Sequence, residues 1–379
     1  MNPERSDTSV GANLHRGSRN WASKPKTGNL PESLAMPVSQ LPEELWLHVF
    51  SFLPWKDKLN VRCTCSDFKQ LLDKSRPLWR GFSLVLRHFS QYNRSFWHSL
   101  AQRHISRVAV CSGKRKHLRQ LSVHLPALDS LRLDDWRSDG VDDLKLFHLL
   151  RRLSITNSCN QLKNVDSLFL LRHQLTQLSL CKVTFACSAP HILTAISQLT
   201  SLTLLRLHHD GSLRVPTLSG FLPHLPRLKH LSWTMIAYKT LPGDFFFSPA
   251  QPTGKAQPED LHVVSHRAPH LEHLHLEPWT SSSNLIRLLP QLFPHLRRLS
   301  IRHRNVSDDD FLQLAQLQHL ETLEVLDAFY APDPRHTTRI VYQASPHLLQ
   351  LISDLKTLTD HRVQVITNSS RCILTCSCV

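Results

Sequence analysis

From residue 105 onward one short pattern keeps returning: an aliphatic residue, two others, an aliphatic, one other, an aliphatic. It reads ISRVAV from Ile105, LDSLRL from Leu128, LRRLSI from Leu150, LTQLSL from Leu175 and LTLLRL from Leu202. It continues as LKHLSW from Leu228, LEHLHL from Leu271, a second LRRLSI from Leu296 and LETLEV from Leu320. Successive starts are separated by 23, 22, 25, 27, 26, 43, 25 and 24 residues. A unit of that size cannot bury three aliphatic side chains by itself. Repeated at a near-constant period, such units must stack so that neighbours share one core. LRQLSV from Leu118 also fits the pattern, but it begins only 10 residues before Leu128 and is assigned to a connecting helix.

This spacing is the signature of a leucine-rich repeat, in which each unit gives one short strand and one return segment. The segment VSDDDFLQLAQLQHL exemplifies a return. Ser307 can cap its first turn, Asp310 sits three residues on, and Phe311, Leu314, Ala315 and Leu317 form the buried stripe. Asp308, Asp309 and Asp310 suit the positive end of a helix and need no metal to explain them. The 43-residue interval contains KTLPGDFFFSPAQPTGKAQPED, rich in Pro and Gly, which predicts a loop at about 239–260 inserted into an otherwise regular stack. Phe245, Phe246 and Phe247 within it are either a local plug or a contact surface.

Ahead of the array lies LPEELWLHVFSFLPW, Leu41 to Trp55. Between Leu45 and Leu53 seven of nine residues are apolar, His48 and Ser51 being the exceptions. At 100° per residue those positions sweep well over half of a helix circumference, more than one core-facing stripe requires. The following stretch, KDKLNVRCTCSDFKQLLDKSRPLWR, predicts two more short helices, with Ser66 as N-cap, Phe68, Leu71 and Leu72 facing inward, and Pro77 ending the segment. Three helices in about 40 residues enclose little interior. Part of the first helix is therefore expected to meet another protein.

The ordered set Leu41-Pro42, Glu44-Leu45, Val49-Phe50, Leu53-Pro54, Asp57, Cys65, Phe68 and Leu78-Trp79 resembles an F-box, and the whole chain is similar to the F-box and leucine-rich-repeat proteins. Phe68 stands where that family usually has tryptophan, and Thr64 where it often has valine. The resemblance implies an α/β fold with an N-terminal three-helix F-box followed by a curved leucine-rich-repeat solenoid. Its expected partners are a SKP-family adaptor and a cullin-RING scaffold, with ubiquitin chemistry supplied by a recruited enzyme, so no catalytic residues, metal or cofactor are assigned. Leu41, Pro42, Leu45, Val49, Phe50, Leu53, Leu59 and Trp79 are the residues expected to bind the adaptor.

Strand alternation turns the residues two, four and six places after each unit's first aliphatic away from the core. These outward positions hold six arginines, Arg107, Arg132, Arg152, Arg206, Arg298 and Arg302, four histidines, His208, His230, His273 and His275, and three acids, Asp134, Glu277 and Glu324. Guanidinium forks bind carboxylate and phosphate bidentately. Arg132, Arg152, Arg206, His230, His273, His275, Arg298 and Arg302 are accordingly expected to hold an acidic or phosphorylated protein substrate. In HLEHLHLE, His273 and His275 share a strand face, but no cysteine or carboxylate arrangement closes a metal site around them.

The chain has 379 residues and a formal charge of +15, which favours polyanionic or acidic partners. The run GKRKHLR, Gly113 to Arg119, is either a solvated loop entering a helix or a nuclear-import or phosphate-backbone patch. An alternative reading is thus a basic repeat protein that binds RNA or acts as a ribonuclease-inhibitor-like interaction protein, although that leaves the Leu41–Trp79 set unexplained. Nine cysteines lack zinc-ribbon or disulfide spacing and read as reduced thiols. The ending CSCV formally permits a lipidated terminus, but serine and cysteine are poor matches to its two aliphatic positions. No enzyme motif or membrane-spanning run is present, and neither nucleic acid nor membrane is expected as a partner. The expected organisation is a disordered tail at 1–40, the F-box at 41–86, the repeat array at 87–366 and a tail at 367–379, in a protein of the cytoplasm, the nucleus or both.

Overall fold

The computed structural model describes residues 41–163, 166–187, 189–209, 222–235, 270–277, 283–303, 306–326, 331–332, 340–341 and 344–367. The expected tail at 1–40, the insertion at about 239–260 with its three phenylalanines, and the cysteines beyond 367 lie outside these residues.

Three short helices open the described chain: α1 (Glu43–Ser51), α2 (Trp55–Val61) and α3 (Ser66–Lys74). Prolines 42 and 54 immediately precede α1 and α2, where a missing N–H costs nothing and a fixed φ starts the turn. The Pro42 carbonyl accepts from the Leu45 and Trp46 amides at 3.0 and 3.3 Å. The N-cap of α3 is Cys65 rather than Ser66. Cys65 has extended backbone, as a cap requires, and its Sγ accepts from the Phe68 amide at 3.5 Å, whereas Ser66 is already helical and turns its hydroxyl to Asp67. Trp46, Phe50 and Phe68 form the centre of the unit, with ring centroids 4.7 Å apart for Trp46–Phe68 and 5.1 Å for Phe50–Phe68. Phe68 thereby fills the place where the F-box pattern usually carries tryptophan.

The nine repeated patterns give nine strands: β2 (Arg107–Cys111), β3 (Ser130–Asp134), β4 (Arg152–Thr156), β5 (Gln177–Cys181), β6 (Leu204–His209), β7 (His230–Met235), β8 (His273–Glu277), β9 (Arg298–Ile301) and β10 (Thr322–Val325). Two further strands extend the same sheet, β1 (Ser83–Leu86) at one edge and Gln364–Thr367 at the other. All eleven are parallel and lie in chain order. A separate antiparallel pair joins Ala331–Pro332 to Ile340–Val341. Residue 83 lies only four places after Trp79, so the sheet begins directly behind the helical unit.

Register is strict because the leucines set it. Leu131, Leu153, Leu178, Leu205, Leu231, Leu274, Leu299 and Leu323 occupy one inward column across eight strands, each at most 2% exposed. Both strand corners repeat as faithfully. Before each strand one carbonyl takes two amides of the next unit: Asp129 O accepts from Arg151 and Arg152, Arg151 O from Thr176 and Gln177, and Lys229 O from Glu272 and His273, all at 2.8–3.0 Å. After β2 to β5 the chain turns through a left-handed residue, Ser112, Asp135, Asn157 or Lys182, with φ of 51–53°. Their amides donate to the carbonyls of Asp134, Thr156, Cys181 and His208 at 2.7–2.9 Å, which satisfies the donor exposed by the turn.

The returns are a mixture of 3-10 segments and α-helices, including α4 (Arg94–Gln102), α5 (Arg115–His124), α6 (Ala189–Ser197), α7 (Ser283–Leu292), α8 (Asp308–Leu312) and α9 (Pro346–Leu358). Leu118 lies fully buried in α5, as its place between two strands implies. Ser307 caps α8 by accepting from the Asp310 amide at 3.3 Å, and Phe311, Leu314 and Leu317 are buried behind it. Stacked strands need about 4.8 Å each and packed helices 8–10 Å, so the wider layer curves the stack and leaves the strands on the inner, concave side.

Candidate functional site

Two surfaces carry the residues singled out in the sequence. The first is the outer face of α1. Leu45 and Val49, four apart on α1, stand 49% and 45% exposed, and Leu41 just before the helix and Phe52 at its C-cap, 46% and 75% exposed, extend this apolar stripe at its two ends. Pro42 is exposed beside it. Leu53 and Leu59 are half-buried against the core. Phe50 and Trp79, expected at an interface, are instead interior residues, 2% and 3% exposed. The reason is angular: Trp46 and Phe50 turn toward Phe68, and Trp79 donates its indole N–H to the Leu72 carbonyl at 2.7 Å. Phe52 was not signalled, although its three-residue offset from Val49 places it on the exposed stripe.

A charged knot ties this unit to the sheet. Arg62 between α2 and α3 donates to Asp73 of α3 and, through Nη2, to Ser99 of α4 at 2.7 Å. Arg103 approaches the same carboxylate at 3.5 Å and lies 4.8 Å from the centre of the Trp79 ring. Burial, reinforced by the neighbouring Arg62 charge, pushes the Arg103 guanidinium down to about 10. The hydrogen bond to Asp73 instead holds Arg62 above its usual value.

The second surface is the concave face of the sheet. At its first outward row, register aligns Arg107, Ser130, Arg152, Gln177, Leu204, His230, His273, Arg298 and Thr322. The next row aligns Arg132, Ser154, Ser179, Arg206, Ser232, His275, Ser300 and Glu324. The expected substrate residues therefore share a face, but the arginines are not equivalent. Arg132 is ion-paired with Asp134 at 2.8 Å and Arg152 with Asp129. Alternation reveals which side a residue takes but not whether an acid from the next corner reaches it. Arg302 follows β9 and lies near the Leu326 carbonyl at 3.5 Å. His208 is 8% exposed and offers little to a ligand. Arg206 and Arg298 are exposed, and among the described residues no carboxylate pairs with Arg206.

Between those arginines the rings of His230 and His273 meet, centroids 4.1 Å apart at 57°. Burial pushes the His273 imidazole down to about 4, with His230 and Arg298 adding to the effect. His230 is lowered as well, chiefly by burial, against an opposing pull from Glu272. The run GKRKHLR is partly neutralised by the next repeat: Arg115 and Arg119 reach Asp143 at 2.9 and 3.2 Å, and Arg115 also reaches Asp142 at 3.3 Å. Among the described residues, no group of three His, Cys, Asp or Glu side chains is arranged to hold a metal ion, and no helix is long and apolar enough to cross a membrane.

Comparison with known proteins agrees with the helical unit. Residues 38–85 match the F-box-like family model. F-box/LRR-repeat protein 12 of Bos taurus is 33% identical over 70 residues, covering 18% of this chain and 21% of that protein. Its Homo sapiens counterpart is 33% identical over 69 residues, covering 18% and 20%. The chain thus spans about a fifth of the length of these relatives. Solved structures of similar shape include an internalin of Listeria monocytogenes at 14% identity and TM-score 0.38, covering 72% of this chain and 70% of that one. Another is internalin C2 of the same organism at 19% identity and TM-score 0.37, covering 60% and 82%. Residues 38–85 thus match an F-box-like domain, and among the described residues they are followed by an eleven-stranded parallel sheet built on the leucine repeats.

Proposed function

We propose that this protein is a non-catalytic substrate receptor of a SKP-cullin-F-box type ubiquitin ligase, acting in the cytoplasm or nucleus. The stripe of Leu41, Leu45, Val49 and Phe52 is the observation that carries this reading. Four large apolar side chains on and flanking one helix, backed by a packed aromatic interior, suit burial against another protein's apolar groove. The SKP-family adaptor would occupy that stripe and a cullin-RING scaffold would follow it. A target protein, acidic or phosphorylated, would lie on the concave strands, where tethering raises the effective concentration of its lysines near a ubiquitin-loaded enzyme.

The test is co-purification of adaptor and cullin with the full chain and with Leu45→Asp, from nuclease-treated lysate. The charged variant should fold normally, because its side chain meets water, yet lose both partners. Retention of adaptor by a folded Leu45→Asp protein would overturn the reading, as would wild-type protein that recovers neither partner.

A further inference from the structure

Two imidazoles meet at the middle of the strand face, in a row that holds Leu204 and Arg298 on the flanking strands and arginine, serine, glutamine or threonine farther out. His230 and His273 are partners in register on adjacent strands, so their proximity is set by the sheet and not by a mobile loop. The charged groups facing them come from five strands or the corners that lead into them. Arg206 projects from β6, Lys229 and Glu272 precede β7 and β8, Arg298 projects from β9, and Glu321 precedes β10. Both carboxylates are already held by other cations, Glu272 by Lys229 at 2.6 Å and Glu321 by Arg297 at 2.8 Å. Burial is the main reason both rings stay neutral, and the nearby cations Arg206, Lys229 and Arg298 add to it at His230 against the pull of Glu272.

We propose that the His230–His273 pair, between Arg206 and Arg298, seats a tetrahedral dianionic oxyanion, the phosphate monoester of a phosphorylated target segment, and takes up protons as it does so. The assignment rests on the reading of the concave face as the substrate surface. A neutral imidazole offers one N–H, whereas a protonated one offers two. A phosphate monoester carries nearly two negative charges and three strong acceptor oxygens, enough to offset the cost of charging half-buried rings and to use the added donors. A carboxylate brings half the charge and only two oxygens. Binding an anion must raise the proton affinity of both rings, and by linkage protonation must tighten the binding.

The experiment uses the full-length protein and sulfate, a tetrahedral dianion whose own charge does not change across this range. Sulfate affinity and the protons taken up are measured by titration calorimetry in buffers of differing ionisation enthalpy between pH 7.5 and 5, with acetate as the planar monoanion. Below the ordinary histidine value of about 6.5, sulfate affinity should rise roughly tenfold per pH unit for each proton taken up. Acetate should bind at least tenfold more weakly at every pH. His273→Gln and His230→Gln, each checked for an unchanged far-ultraviolet spectrum, should flatten the pH dependence.

Sulfate affinity that is pH-independent and without proton uptake would overturn the proposal while leaving an anion-receiving face intact. Equal binding of acetate would make the site one for carboxylates and sink the phosphate assignment. Absence of sulfate binding in a protein that still recovers its adaptor would end this inference and spare the receptor reading. Sulfate binding in a protein that recovers no adaptor would do the reverse.

Discussion

Arg62 grips Asp73 by both carboxylate oxygens, Nε to Oδ1 at 2.7 Å and Nη2 to Oδ2 at 2.8 Å. Arg103 leans on the same acid, and its own side chain is 7% exposed. One carboxylate thus stands between two guanidiniums and offsets only part of their repulsion at the seam between helical unit and sheet. Asp73→Ala should cost about 3 kcal/mol, because breaking a buried pair strands the charges that remain. Urea denaturation followed by tryptophan fluorescence reads the loss. A midpoint unchanged from wild type would mean that the aromatic packing alone holds the seam.

Opposite faces of α1 should respond in opposite ways. Phe50→Ala opens the aromatic interior and should lower stability by about 3–5 kcal/mol. Phe52→Asp removes no interior contact, so thermal unfolding should stay within about 0.5 kcal/mol of wild type while adaptor recovery falls. The contradictory result is a Phe52→Asp protein that unfolds early or binds normally.

Lys182 occupies the left-handed corner that Asp135 and Asn157 fill in the preceding repeats. A lysine in that conformation carries steric strain of about 1 kcal/mol, which asparagine relieves in part by local hydrogen bonding. Lys182→Asn should therefore raise the unfolding midpoint, and Asn157→Val should lower it by about 1–2 kcal/mol. Differential scanning calorimetry of both variants decides this, since a fall on Lys182→Asn would show that the lysine stem contributes more than its backbone strain.

The array was legible because leucines at fixed intervals report the core directly. The two edge strands were not. Ser83–Leu86 has no earlier aliphatic in phase with it, and Gln364–Thr367 has Arg362 where the inner repeats carry an aliphatic residue and Thr367 where β10 carries Val325, so neither spells the full pattern. The candidate face was half legible. Alternation put Arg132, Arg152, Arg206 and Arg298 on one side, but the acids that neutralise the first two come from Asp134 and from the corner residue Asp129, whose reach depends on three-dimensional register. The wide apolar arc of α1 splits into an inward face, through Trp46 and Phe50, and an exposed face, through Leu45 and Val49, and the error lay in assigning Phe50 to the outer one.

Acid should weaken the fold through the same histidines. His273 titrates near 4 when folded and His230 is also depressed, so the unfolded chain binds more protons between the ordinary histidine value and that range. Stability is then full above about 6.5 and declines as pH falls toward 4. The His230→Gln/His273→Gln double variant should lose less over that window. Parallel chemical denaturation at pH 7 and pH 5 compares the slopes, and equal losses would mean that the imidazoles are as well solvated folded as unfolded.

The even spacing of the strands has a grammatical consequence for anything lying across them. Arg206 on β6 and Arg298 on β9 are three strand steps apart, about 14 Å sideways. An extended peptide advances about 3.4 Å per residue, so a chain running across the strands would cover that interval in roughly four residues. The sheet would then count along its ligand, and two acidic or modified residues would have to be punctuated at that interval to be read together.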